Sequence, residues 1–146
     1  MIQAPIEKCF DMARDIDLHM KSVSDTDEQA IGGTTSGLIG PGETVTWRAR
    51  HLGITQYFTS KITAFDRPNY FQDAMQQGAF KSFVHDHYFS VKHGQTSMLD
   101  VVEFQSPFWL LGSAVDALFM KSYLYRLISK RCKFIKESAE WSFRRT

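Results

Sequence analysis

His85-Asp86-His87 is the sharpest chemical feature of this 146-residue chain. In an extended segment, residues two apart share a face, so both imidazoles point one way with Phe83, Phe89 and Val91. Asp86 turns to the other side with Val84 and Tyr88, and cannot orient either ring from within its own strand. Two histidines on one face can hydrogen-bond within an apolar wall, orient a bound molecule, move protons, or bind a metal. A zinc site needs a third protein ligand, and His51 is the one obvious candidate, so no metal site is expected. Carboxylates are the other titratable groups of interest. Asp73 shares a face with Phe71 and Met75, and Asp100 sits beside Met98 and Val102. A carboxylate among apolar neighbours has a raised pKa suited to acid or base work, although an exposed or paired carboxylate is the ordinary outcome. No serine or cysteine lies in a nucleophile motif, and the glycine pairs lack phosphate-loop spacing.

Strands must position these groups. Thr44–His51 alternates with period two, Ile54–Asp66 follows after Leu52-Gly53, and Tyr70–Gln76 follows Arg67-Pro68-Asn69. Phe80–Lys92 and Thr96–Gln105 then meet at His93-Gly94-Gln95. Even spacing and tight turns predict an antiparallel meander. Upstream, Ala4-Pro5 opens one short helix, and Asp15 or Asp17 caps a second that runs to about Val23. Thr26–Ile31 reads as a strand, and Gly32–Gly42 as a loop. After Pro107 the period becomes helical: Ala117, Met120, Leu124, Leu127, Ile128 and Ile135 form one stripe, with charges opposite.

Composition narrows the classes of function. Hydrophobic residues make up 43% and aromatics 14%, including twelve phenylalanines, which fits one folded domain over residues 1–146. A net charge of +1 gives no global field for nucleic acid. The excess of Lys and Arg lies after residue 106, in Lys121, Arg126, Lys130, Arg131, Lys133, Lys136, Arg144 and Arg145. That segment reads as a solvated helix face, or as a docking face for an acidic partner or an anionic membrane surface. Two cysteines, Cys9 and Cys132, make no disulfide framework, and the N-terminus lacks the pattern of a secretory signal. The most apolar window, Phe108–Met120, is too short for a transmembrane segment. A cytoplasmic location is expected.

Taken in order, Ile2-x-Ala4-Pro5-x-x-x-x-Phe10, Val45-Thr46-Trp47, Pro68-x-x-Phe71, Gly78-x-Phe80, His85-x-His87-x-Phe89, Thr96-x-Met98-x-Asp100 and the long last helix resemble the SRPBCC, or START-like helix-grip, superfamily. Within it the chain is most similar to the small bacterial ligand-binding domains and the polyketide cyclases. The resemblance implies an α+β fold in which a curved antiparallel sheet of about seven strands grips a long C-terminal helix around an apolar cavity. Two short helices stand near the N-terminus. With only Met1–Gln3 before the first helix, the first strand is expected to be short or truncated.

These readings predict a protein that binds an apolar or amphipathic small molecule, lipid-like or polyketide-like, without a cofactor. The residues expected to line the cavity are Trp47, His51, Gln56, Phe58, Ser60, Phe71, Asp73, Phe83, His85, His87, Phe89, Met120 and Leu124. The alternatives are a cyclase or dehydratase using His85, His87 or Asp73 as acid and base, and a module whose basic last helix binds a protein or membrane. Phe108–Phe119 is expected to act as a gate, with Gly32–Gly42 as the facing loop.

Overall fold

In a computed structural model, which describes residues 1–106 and 114–145, two short helices precede a sheet and a long helix follows it. Helix α1 spans Ile6–Ala13, and α2 spans Ile16–Ser22. Pro5 stands at the N-cap of α1, where its missing N–H leaves no bond unmade. Asp15, the nearer of the two predicted caps, accepts from the Leu18 N–H at 3.0 Å and so starts α2.

Six antiparallel strands follow in sequence order: β1 Gln29–Gly33, β2 Thr44–His51, β3 Ile54–Asp66, β4 Tyr70–Gln77, β5 Ser82–Lys92 and β6 Gln95–Gln105. The last element, α3, is Ala114–Phe143. Leu52-Gly53 and His93-Gly94 are two-residue hairpin loops with φ positive at both positions. That is the turn whose twist matches paired strands.

The expected seventh strand is reduced to one bridge. Ile2 exchanges both backbone hydrogen bonds with Thr96 on β6, at 2.8 and 3.0 Å. Helix α1 begins four residues later, which leaves no length for a ladder. The strand expected at Thr26–Ile31 also begins later. Ser24–Thr26 is a 3-10 turn, closed by the Thr26 hydroxyl on the Val23 carbonyl at 2.8 Å. Gly32 and Gly33, expected in a loop, end β1 instead. At Gly33, with φ +69°, a Cβ would fall 2.1 Å from the Thr44 carbonyl oxygen, so only glycine fits.

One end of the concave face is filled. Phe10 of α1 is fully buried and meets Phe65, Phe71 and Phe89 edge-on, each at 5.3 Å between ring centroids. At the other end a space remains between β2–β5 and α3. Among the described residues no helix is long and apolar enough to cross a membrane. The gate expected at Phe108–Phe119 falls largely on residues outside those described.

Candidate functional site

The space between the sheet, α2 and α3 is a partly open cavity of about 220 Å³. Alternation along β2 places Trp47, Ala49 and His51 toward it, and alternation along β3 does the same for Gln56, Phe58, Ser60 and Ile62. Phe71 and Asp73 of β4 and Phe83 and His85 of β5 continue the wall, and Met120 and Leu124 of α3 close it. Two of the expected lining residues lie elsewhere. Phe89 belongs to the filled aromatic end, and His87, 1% exposed, sits behind the wall stacked on Phe71 at 4.1 Å.

The register of three strands gathers the chemical groups. Asp73 pairs across from His85, and His87 across from Asp100, so two carboxylates flank two imidazoles. The rings lie 3.8 Å apart. His85 Nε2–H donates to Asp100 Oδ1 at 2.9 Å, leaving its Nδ1 lone pair 3.9 Å from Asp73 Oδ2. His87 Nε2–H donates to Asp73 Oδ2 at 3.0 Å. His87 Nδ1 is 2.7 Å from Asp100 Oδ1 but off the line of a hydrogen bond, so it stays unsatisfied. From α3, the Cys132 thiol donates to Asp100 Oδ2 at 3.1 Å.

These contacts divide the charges. Burial alone raises a carboxylate pKa, yet hydrogen bonds from His87 to Asp73 and from His85 to Asp100 outweigh it, and both acids are held below the usual carboxylate range. Burial and the neighbouring His87 push His85 down, toward the neutral ring. Burial opposes a charge on His87 as well, but Asp100 and Asp73 together prevail and its pKa is raised. Burial, reinforced by the Asp100 charge, drives the Cys132 thiol up to about 12, so it serves as a donor and not as a nucleophile. With one histidine pushed down and the other raised between two carboxylates, the cluster can hold or pass a proton at the cavity wall.

A second polar group lies across the cavity. His19 of α2 stacks on Trp47 at 4.4 Å and donates from Nε2 to Glu28 Oε1 at 2.6 Å. Burial raises the Glu28 carboxyl, but the His19 bond overcomes it and the net pKa is lowered. His51 and the Tyr123 hydroxyl share a hydrogen bond of 2.6 Å, which ties β2 to α3 and keeps His51 away from the other histidine pair. His51 is therefore not their third partner; Asp73 is.

Arg131 corrects the expectation of a wholly solvated basic face. It lines the cavity, donates to the Ala13 carbonyl, and its buried Nε has no hydrogen-bond partner among the described residues. Its position was legible: Arg131 follows Leu124 by seven and precedes Ile135 by four, on the apolar stripe itself. Cys132, His19 and Glu28 carried no such signal. Elsewhere on α3, Lys130 pairs with Asp25 at 2.6 Å, and Lys136 pairs with Glu140.

No protein-family model and no curated protein matches this sequence. Solved structures do. TTHA0849 from Thermus thermophilus aligns with a TM-score of 0.71 at 14% identity, covering 94% of each chain. Ara h 8.0201 aligns at 0.63 and 17% identity, covering 92% of this chain and 91% of that one. Ginseng major latex-like protein 151 from Panax ginseng aligns at 0.61 and 14%, covering 94% and 91%. At such identities the likeness concerns architecture, and the chain has the helix-grip fold of the SRPBCC, START-like proteins.

Proposed function

From the helix-grip fold and the hollow it leaves, we propose that this protein binds a compact apolar or amphipathic molecule inside the cavity. The observation that carries the reading is the hollow itself, bounded by Trp47, Phe58, Phe83 and Leu124 yet met by His85, Asp73 and Arg131. Small-molecule sites combine apolar walls with a few placed polar groups in this way. At about 220 Å³ the volume lies just under the roughly 300 Å³ at which such sites begin, which favours a small ligand. Each fully buried apolar side chain or ligand group contributes about 1.5–3 kcal/mol. Several such contacts offset an association cost of about 4–15 kcal/mol and reach micromolar affinity.

Titration with a solvatochromic apolar dye tests this reading. One dye per chain should bind, and Phe58→Ala or Phe83→Ala should weaken binding at least about tenfold, whereas Lys61→Ala should leave it unchanged. Indifference to both pocket substitutions would remove the cavity from the account.

The Asp73–His85–His87–Asp100 cluster supports a second reading, acid–base catalysis of a cyclase or dehydratase type on a molecule held in the same space. His85 and Asp73 border the cavity and could reach a bound carbonyl or hydroxyl. A turnover that survives His85→Gln would exclude it. The pairing of Lys130 and Lys136 weighs against a basic docking face on α3.

A further inference from the structure

We propose that Asp73, His85 and His87 form a binding site for a divalent transition-metal ion, zinc in the first instance. Asp73 supplies, one strand away, the third ligand that the sequence alone does not reveal.

The donor atoms already converge. One ligand atom from each of the three residues lies within 4.8 Å of the other two. Tetrahedral zinc with arms of about 2.0–2.1 Å sets its ligand atoms roughly 3.3 Å apart. Asp73 Oδ2 stands 3.0 Å from His87 Nε2 and 3.9 Å from His85 Nδ1, on either side of that spacing. Small side-chain rotations complete the set. His85 is prepared for the task, because its Nε2–H is committed to Asp100 and the Nδ1 lone pair is turned toward Asp73.

Asp100 supplies what metal-bound histidines require on their far nitrogens. It stands 2.9 Å from His85 Nε2 and 2.7 Å from His87 Nδ1, and is itself fixed by the Cys132 thiol. Carboxylates in that position fix the imidazole tautomer and raise its basicity toward the metal. The off-axis His87 Nδ1 is a buried donor that the metal-free network leaves unsatisfied. A turn of the ring onto the ion can bring it into line with Asp100.

The charges agree as well. Both imidazoles would coordinate the ion as neutral ligands. The carboxylates of Asp73 and Asp100, which flank the two rings, would balance the dication. Asp73 and His85 border the cavity, so the fourth coordination position opens into it and accepts an oxygen donor.

The test uses the full chain, free of any histidine tag and stripped with chelator, titrated with Zn²⁺ by calorimetry and with Co²⁺ by visible absorption. One equivalent should bind, with the intense visible bands of tetrahedral cobalt. Asp73→Asn and His85→Gln should each abolish stoichiometric binding, while His93→Gln changes nothing. Asp100→Asn should retain the site but weaken it about 10–100-fold. Acetohydroxamate should alter the cobalt spectrum through the open position. Thermal melting and circular dichroism report whether each variant remains folded, so a lost site is distinguished from a lost fold. Absence of stoichiometric binding to the parent chain overturns the proposal. So does binding that persists in folded Asp73→Asn and His85→Gln proteins, or a cobalt spectrum that acetohydroxamate leaves untouched.

Discussion

The two ends of the concave face are built from similar residues and do opposite things. At one end Phe10 meets Phe65, Phe71 and Phe89 edge-on and fills the space among them, while Phe71 reaches the border of the hollow. At the other, Trp47, Phe58 and Phe83 line a hollow without filling it. Helix α1 makes the difference, because it inserts Phe10 among the rings at one end, while among the described residues no ring is inserted in the same way at the other. The histidine pair marks the border, with His87 stacked on the filled side and His85 facing the space. Aromatic content therefore does not by itself identify a binding wall. What matters is whether another element plugs the surface.

Truncation at the two ends should separate them most sharply. Phe10→Ala removes a ring in contact with three others and should cost about 3–5 kcal/mol in urea unfolding. Phe83→Ala, beside existing space, should cost less than half as much, because fewer contacts are lost. Equal costs would mean that the hollow end is packed as tightly as the filled one.

The border comes next. Asp100→Asn keeps the shape but removes the charge that holds His85, His87 and Cys132, and should cost about 2–3 kcal/mol. Glu28→Gln, with the single partner His19, should cost about 1 kcal/mol. Reversal of that order would show that the two polar groups do not differ as their partners imply.

Acid sharpens the same contrast with a smaller effect. The Glu28 pKa is lowered on folding, so its contribution is fully present above the unfolded value of about 4.3 and is lost as pH falls through the folded one. Glu28→Gln should therefore flatten the stability profile below about pH 4.3 while leaving its slope at neutral pH unchanged. Stability curves from urea titrations at several pH values report this directly.

Much of the architecture was legible because strands announce themselves by period two and hairpins by their turn residues. β2 through β6 lie within two residues of where alternation places them, and Leu52-Gly53 is the expected turn. β5 starts at Ser82 and not Phe80, and Gln95, expected in the second turn, already opens β6. β1 was not legible in this way, because its glycines resemble a loop until the close approach of Thr44 explains Gly33. The face of β5 that carries the histidines follows from alternation as well. Their carboxylate partners do not, since Asp73 and Asp100 meet them only through inter-strand register. Register depends on bulges such as the one between Ile62 and Ala64, which no local pattern encodes. Arg131 was readable from helical spacing, but its charge directed attention to solvent.

The central claim is that the hollow end, and not the filled end or the outer surface, receives a ligand. Backbone and aromatic chemical-shift mapping during titration with an apolar dye tests it most directly. The account predicts saturable shifts at Trp47, Phe58, Phe83, His85 and Leu124, with Phe10 and Phe65 nearly still. Shifts centred on the exposed Trp141 and Phe143 of α3, or spread evenly over the outer face of the sheet, would contradict it.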